Sequence, residues 1–415
     1  MSQPGPPPDE GKPLPASAPG LSPTPAPVTR VLRCGTLFDG TGAPPVRQAT
    51  VVVADGRIVA VGPSSSTPAP PGVATIDLGE CFVMPGLVDA HTVVGLTGYL
   101  NQPHDQEQVE ASGPIQPELR AIDAYDPTER LVEWVRGFGV TTMHTGHGPL
   151  ARVSGQTMIV NTRGNSADEA VMVPTAMIAV TLANASKATE EGKSPGTRSK
   201  MMAMLRGELV KAQEYQKKKD NAEKGTEPER NLRTEVWVRV LKGELPLLVT
   251  AYRVQDIIST LRLASEFKIK VVLDGASEVY LALNEVKKAG IPVILHPTMS
   301  RSFGDQENQS METAATLQKA GIPYALQSGF EGYVPKTRVI LFEAAIAAAN
   351  GLTFDEALGA ITLNAARILG VDKRVGSLEV GKDGDLALYD GDPFEYTTHC
   401  IATVIDGQVV NQSAQ

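Results

Sequence analysis

Cysteine is scarce in this chain: 415 residues hold three, Cys34, Cys81 and Cys400. An odd count without Cys-x-x-Cys spacing suggests neither a disulfide framework nor a zinc ribbon, and fits buried thiols in a reducing compartment. No apolar run reaches the roughly 18 residues that a transmembrane helix needs, so no membrane partner is expected. The opening Met1-Ser2-Gln3-Pro4-Gly5-Pro6-Pro7-Pro8 has no charged-then-apolar leader, and a cytoplasmic location is the expectation. Positive charge is also short: the net charge is -9, and the one basic run, Lys217-Lys218-Lys219, sits among Asp220, Glu223, Glu227 and Glu229. A nucleic-acid surface needs clustered Lys and Arg, so none is expected. A hydrophobic content of 42% with 20% charged residues is that of a soluble globular protein. The length suits a barrel with a small appended domain.

Texture divides the chain. Ten of the 31 prolines fall in residues 1–27, with few large apolar residues between them. Such a segment buries too little surface to offset its ordering entropy, so it reads as a disordered tail, with a proline-recognition ligand as the sharper alternative. Thr29–Cys34, Thr50–Val53, Arg57–Val61 and Thr75–Leu78 then read as short strands, with a hairpin signal at Asp55-Gly56. Asp385–Tyr389 and Ile401–Val410, turning at Asp406-Gly407, have the same texture. Neither end makes a stable sheet alone, so pairing the two into one small β-domain is the economical reading.

Between the ends, strands and helices alternate. Lys288-Ala289-Gly290-Ile291-Pro292-Val293-Ile294-Leu295 is echoed by Lys319-Ala320-Gly321-Ile322-Pro323-Tyr324-Ala325-Leu326. Each copy reads as a helix end, a Gly stop and a buried strand. Leu247–Ala251, a helix Val254–Phe267 followed by Ile269–Leu273, and Gly139–Met143 are similar units. Repeating units with continuous apolar strands predict a parallel sheet, and their number fits an eight-stranded barrel. Residues 187–230 interrupt the rhythm with a polar stretch and a long helix over Met201–Lys219.

Three motifs carry a family resemblance. Val83-Met84-Pro85-Gly86-Leu87-Val88-Asp89-Ala90-His91-Thr92-Val93 resembles the first barrel strand of the amidohydrolase superfamily, where Pro-Gly-hydrophobic-hydrophobic-Asp-x-His-x-His opens the active site. Thr362-Leu363-Asn364-Ala365-Ala366-Arg367-Ile368-Leu369-Gly370 resembles the final barrel-side helix, with Ala365 in place of Pro. Gly376-Ser377-Leu378-Glu379-Val380-Gly381-Lys382-Asp383-Gly384-Asp385-Leu386 resembles the return into the β-domain, with Gly384 where Ala is usual. All three in order are strongly specific. Gly139-Val140-Thr141-Thr142 and Ser154-Gly155-Gln156-Thr157 look most like the imidazolonepropionase-like branch.

The resemblance implies one or two metal ions that lower the pKa of bound water to about 7 and polarise the scissile carbonyl. It also implies the ligands: two His on strand 1, often a modified Lys mid-barrel, single His residues on strands 5 and 6, and an Asp on strand 8. Here His91 is kept, but Val93, Thr250, Asp274 and Gly329 stand at the other ligand positions, and Asn161 at one candidate place for the Lys. A family-type binuclear centre is not expected.

The histidines nevertheless gather. His91, His144, His147 and His296 fall where strands should end, on the rim that builds barrel active sites. His104 follows strand 1, and His399 belongs to the β-domain. Each has a plain alternative. His91 is either functional or a packed relic that bonds a carbonyl. His144-x-x-His147 has zinc-compatible spacing but also suits loop contacts. Asp274 is a general base or a turn residue, and His296 owes its place to function or to Pro297. Arg253 clamps a carboxylate or joins an ion pair at the rim. The amide- and carboxylate-rich run Asn101–Gln108 is a substrate mouth or a solvated loop.

The expected fold class is therefore α/β: a (β/α)8 TIM-type barrel over residues 86–372, plus a composite β-sandwich from residues 28–85 and 373–412. The expected function is hydrolysis of non-peptide C–N bonds in a small substrate, such as a cyclic amide, at an altered, metal-poor site. His91, Asp274, His296 and Arg253 are the candidate catalytic residues. The alternative is an inactive barrel that serves as a binding or scaffold protein. No cofactor is expected; one zinc ion at His91 with His144 or His147 is the lesser alternative. The expected partner is a small molecule at the rim, anionic if Arg253 orients it, and a homo-oligomer stays open.

Overall fold

The computed structural model describes residues 29–100, 102–187, 195–223, 226–298, 302–330 and 339–412. The tail expected over residues 1–27 lies outside them. Strands β1 (Arg30–Leu37), β2 (Val46–Ala54), β3 (Arg57–Pro63), β4 (Thr75–Asp77) and β5 (Phe82–Pro85) follow the Val- and Ile-rich runs. They share one sheet with three late strands, in the order β18-β17-β16-β5-β1-β2-β3, with β4 on β1. Those late strands are β16 (Leu386–Tyr389), β17 (Cys400–Ile405) and β18 (Gln408–Gln412). The seam is β5 against β16, antiparallel, with Met84 opposite Ala387 and Val83 opposite Leu388. Leu32, Val51, Ile58 and Val83 from one end and Leu386, Leu388 and Val404 from the other form one buried cluster. Burying each such side chain contributes roughly 1.5–3 kcal/mol, so each end stabilises the other.

The chain leaves this sheet through Gly86, whose amide bonds the Asp385 carbonyl at 3.0 Å. A Cβ there would lie 2.2 Å from the Thr141 side chain, so the close approach of two strands requires glycine. Next come β6 (Leu87–Thr92), α1 (Arg130–Arg136) and β7 (Val140–Thr145), and β6 and β7 pair in parallel. Then follow β8 (Val153–Gln156), β9 (Met158–Asn161), α2 (Ala167–Ala170), β10 (Val171–Val173) and β11 (Ile178–Thr181). The stretch 153–161 serves two sheets: β9 pairs β7, β8 pairs β11, and both pairings are antiparallel. This departs from the all-parallel expectation. Only residues 146–152 separate β7 from β8, and a parallel return needs a crossover of a dozen residues or more.

The remaining units are more regular. Helices α3 (Arg198–Asp220) and α4 (Leu232–Leu241) precede β12 (Leu247–Ala251), α5 (Val254–Phe267), β13 (Val271–Gly275), α6 (Leu283–Ala289), β14 (Val293–Leu295), α7 (Thr313–Ala320) and β15 (Tyr324–Leu326). The strands pair in parallel from β11 to β15. The near-repeat is two copies of one device: α6 and α7 stop at left-handed Gly290 and Gly321, and β14 and β15 follow. The long helix of the interrupting segment is three residues longer at its start than expected, because Thr197 caps it through the Lys200 amide. Helices α8 (Ile340–Ala349), α9 (Phe354–Ala360) and α10 (Leu363–Leu369) close the α/β region. A parallel bridge from Thr92 to Gly329 brings β6 beside the end of β15. Among the described residues, no helix is long and apolar enough to cross a membrane.

Because β16 completes β5, a chain ended at Gly384 should lose its whole structure together. Calorimetry should show one transition at a markedly lower temperature than in the full chain; an unshifted main transition would contradict the shared core.

Candidate functional site

Leu248, Val272, Ile294 and Ala325 lie on neighbouring strands and pack with Val88, Ala90 and Ile159 in one buried cluster. Side chains alternate along a strand, so the residues two further on share the same face. Those are Thr250, Asp274, His296 and Gln327. All four are buried, and with His91 and His144 they replace the apolar layer by a polar one.

Asp274 is its hub. One carboxylate oxygen accepts from His91 Nδ1 at 2.9 Å and from Gln327 Nε2 at 2.8 Å. The other accepts from Thr250 Oγ1 at 2.5 Å. Gln327 also donates to the Ile294 carbonyl, which ties the hub to β14. His144 lies with its ring 5.6 Å from that of His91. Its Nδ1 donates to the Ala90 carbonyl at 2.8 Å, and its Nε2 accepts from Thr157 Oγ1 at 2.6 Å. His296 donates from Nδ1 to the Pro297 carbonyl at 3.1 Å, and its backbone amide bonds the Gly275 carbonyl beside Asp274. The Nε2 atoms of His91 and His296 are buried without a hydrogen-bond partner.

These environments drive the histidines apart. Burial opposes charge on His91, but the Asp274 carboxylate beside it outweighs burial and raises its pKa. Burial also opposes charge on Asp274; His91 and the donors Thr250 and Gln327 prevail and hold its pKa below the ordinary range. His144, desolvated and facing His91, falls to about 3, and His296, desolvated, falls to about 4. A second carboxylate, Asp89, accepts from the Ser328 amide and hydroxyl at the β6–β15 junction. Burial raises it to about 6.

Residues 269–411 match the profile of the Amidohydrolase family. The imidazolonepropionase of Mesorhizobium japonicum is 24% identical over 387 residues, covering 88% of this chain and 91% of that one. That of Stenotrophomonas maltophilia is 27% identical over 403 residues, covering 86% and 89%. An amidohydrolase structure from Thermotoga maritima superposes with a TM-score of 0.87 at 29% identity, covering 92% of this chain and 100% of that one. These matches support a place in the amidohydrolase superfamily, in its imidazolonepropionase-like branch.

The metal ions typical of the superfamily do not fit the donors that this chain places here. His91 gives Nδ1 to Asp274, and Asp274 already accepts three donors. His144 uses both ring nitrogens, so the zinc alternative with His144 lacks a free atom. Position 329 cannot hold a carboxylate simply: Gly329 has φ +69°, and a Cβ there would meet Pro297 Cγ at 2.5 Å. Among the described residues, no three His, Cys, Asp or Glu side chains are placed to hold an ion.

The other candidates fall elsewhere. His144 belongs to β7 rather than to the loop after it. His147 is buried with Nδ1 unpartnered, and burial lowers its pKa. Arg253 precedes α5 and bonds Glu278, Glu307 and the Gly304 carbonyl, an ion-pair network rather than an open clamp. In the mouth run, Gln106 donates to Asp105 and Gln108 to Gln106, while Gln108 Oε1 is buried without a partner; Asn101 lies outside the described residues. His104 sits in a short 3-10 turn and His399 pairs with Asp390 at the surface. Asn161, at the end of β9, is buried with Oδ1 unpartnered. The sequence reading missed Gln327 and Thr157. Gln327 stood two residues before Gly329, and alternation from Ala325 would have marked it.

Asp274→Ala would leave a buried imidazole unpaired and should cost about 3–5 kcal/mol in urea denaturation. The pH dependence has a definite sign. His91, raised, contributes stability that is whole below 6.5 and is lost as pH rises through its elevated folded value. Asp274, lowered, contributes above 3.8 and loses that contribution as pH falls through its folded value. The difference between wild type and variant should thus be greatest between those limits. Gly329→Asp should destabilise by at least about 1–3 kcal/mol and gain no tightly bound metal by elemental analysis.

Proposed function

We propose that this protein is a hydrolase of non-peptide C–N bonds in a small substrate, such as a cyclic amide, working by proton transfer between two histidines at a metal-poor site. The strand order supports a closed barrel around that site, since the stretch 153–161 runs from one sheet into the other and the Thr92–Gly329 bridge links β6 to the end of β15. The flanking sheet fits the composite β-domain of residues 28–85 and 373–412. No cofactor is required in this reading.

One observation carries it: two buried histidines with open Nε2 atoms and pKa values displaced in opposite directions. Such displacement assigns acid and base roles. His296, neutral, accepts the proton of a water as its oxygen adds to the carbonyl carbon. His91, whose protonated form the Asp274 carboxylate favours, gives its Nε2 proton to the leaving nitrogen as the C–N bond breaks. Return of one proton from His296 to His91 resets the pair. Asp274 keeps the His91 ring oriented, Thr250 and Gln327 keep Asp274 oriented, and Arg253 remains in its ion pairs.

A second reading, a binding barrel without turnover, draws on burial: His91 and Asp274 are each 3% exposed and His296 1%. Hydrolysis of a panel of small cyclic amides distinguishes the two. Turnover insensitive to chelator, reduced about 10²–10⁴-fold in His296→Gln and in His91→Gln with the fold intact, supports the hydrolase. Thermal stabilisation by panel members without hydrolysis supports the binding barrel.

A further inference from the structure

Trp134 and Trp237 are the two tryptophans of the chain, and they are placed very differently. Trp237 is fully buried in the core. Trp134, on α1, is 53% exposed, and Phe342, on α8, is 46% exposed. Phe138 lies between them, its ring 5.0 Å from Trp134 and 5.9 Å from Phe342, edge-on to both. Three aromatic rings thus form one continuous ledge on the outside of the α/β region. Isolated exposed apolar side chains need no explanation, but a contiguous aromatic patch marks a contact surface.

The chain itself supplies a segment of matching chemistry. Residues 1–28 precede β1 and contain Pro6-Pro7-Pro8 and the alternating Pro23, Pro25 and Pro27. Proline-rich segments settle on aromatic-lined surfaces at low entropic cost, because the polyproline conformation is already restricted. The point of departure is favourable too. Arg30 donates from Nε to the Gly407 carbonyl, and the adjoining Asp406 pairs with Arg163. Beside Arg163, the Thr162 carbonyl accepts from Arg136, the last residue of α1. A chain of direct contacts therefore runs from the start of β1 to the helix that carries Trp134. At about 3.1 Å per residue in polyproline form, 28 residues extend to about 87 Å, ample to return to that helix.

We propose that the proline-rich N-terminal segment docks on the Trp134–Phe138–Phe342 ledge of its own chain.

With Trp237 buried, tryptophan emission and its acrylamide quenching report on Trp134. A chain beginning at Val28 should show red-shifted emission and stronger quenching than the full-length protein, with an unchanged melting transition. A full-length variant with the ten prolines of residues 1–27 replaced by serine should behave like the truncated chain. Trp134→Phe should abolish both differences. Equal quenching in full-length and truncated chains overturns the proposal. Protection that survives the proline replacements overturns the proline-based recognition. Protection that grows with protein concentration, with a doubled mass in sedimentation, assigns the ledge to a second copy instead.

Discussion

A carboxylate taken out of water in the middle of a protein is unfavourable unless both its oxygens find donors. Asp274 meets that condition from three strands: His91 comes from β6, Thr250 from β12 and Gln327 from the end of β15. The consequences spread outward. Because Asp274 holds a charge next to it, the pKa of His91 is raised; burial, and then the neighbouring His91, drive His144 away from protonation. A neutral His144 has one donor and one acceptor, and the Ala90 carbonyl and the Thr157 hydroxyl match them. The polar layer is thus a set of mutually determined proton positions.

In the reading proposed above, that layer stands in place of the superfamily's metal centre. An ion pair and a cation can each knit several strands together electrostatically, but they ask for different surroundings. A cation wants anionic or lone-pair donors converging on one point. An imidazolium–carboxylate pair wants a saturated carboxylate and an oriented ring, which is what Thr250 and Gln327 supply. On the resemblance to the superfamily, Asp274 and Thr250 stand at two His positions, and in the proposed reading the two differences belong together. Gly329 completes the set, since its backbone conformation and the nearby Pro297 leave no room for the carboxylate used elsewhere in the superfamily.

Much of this was legible beforehand, where local chemistry decides the outcome. Asp55-Gly56 and Asp406-Gly407 announced hairpins that form, and the repeated Lys-Ala-Gly-Ile-Pro sequences announced helix ends followed by strands. The pairing of β5 with β16 followed from the marginal stability of each end alone. The direction of the stretch 153–161 did not follow, because its strand character is local while its direction depends on the length of a connection. At the site, the sequence pointed to His91, Asp274 and His296 by position along their strands. It did not show that Asp274 and His91 touch, since the two residues are 183 apart and belong to different sheets. Arg253 carried two readings in the sequence, and three nearby acceptors favour the ion pair.

The seam between β5 and β16 also sets an order of events during synthesis. Strand β5 is made early, yet its partner edge is supplied some three hundred residues later. At about 5–20 residues per second, that is an interval of about 15–60 s in which a strand of Phe82, Val83 and Met84 has an open edge. Until the last segment emerges from the ribosome, the first-made sheet is incomplete and open to pairing with other chains. For a protein built this way, the availability of chaperones during translation matters as much as the stability of the finished molecule.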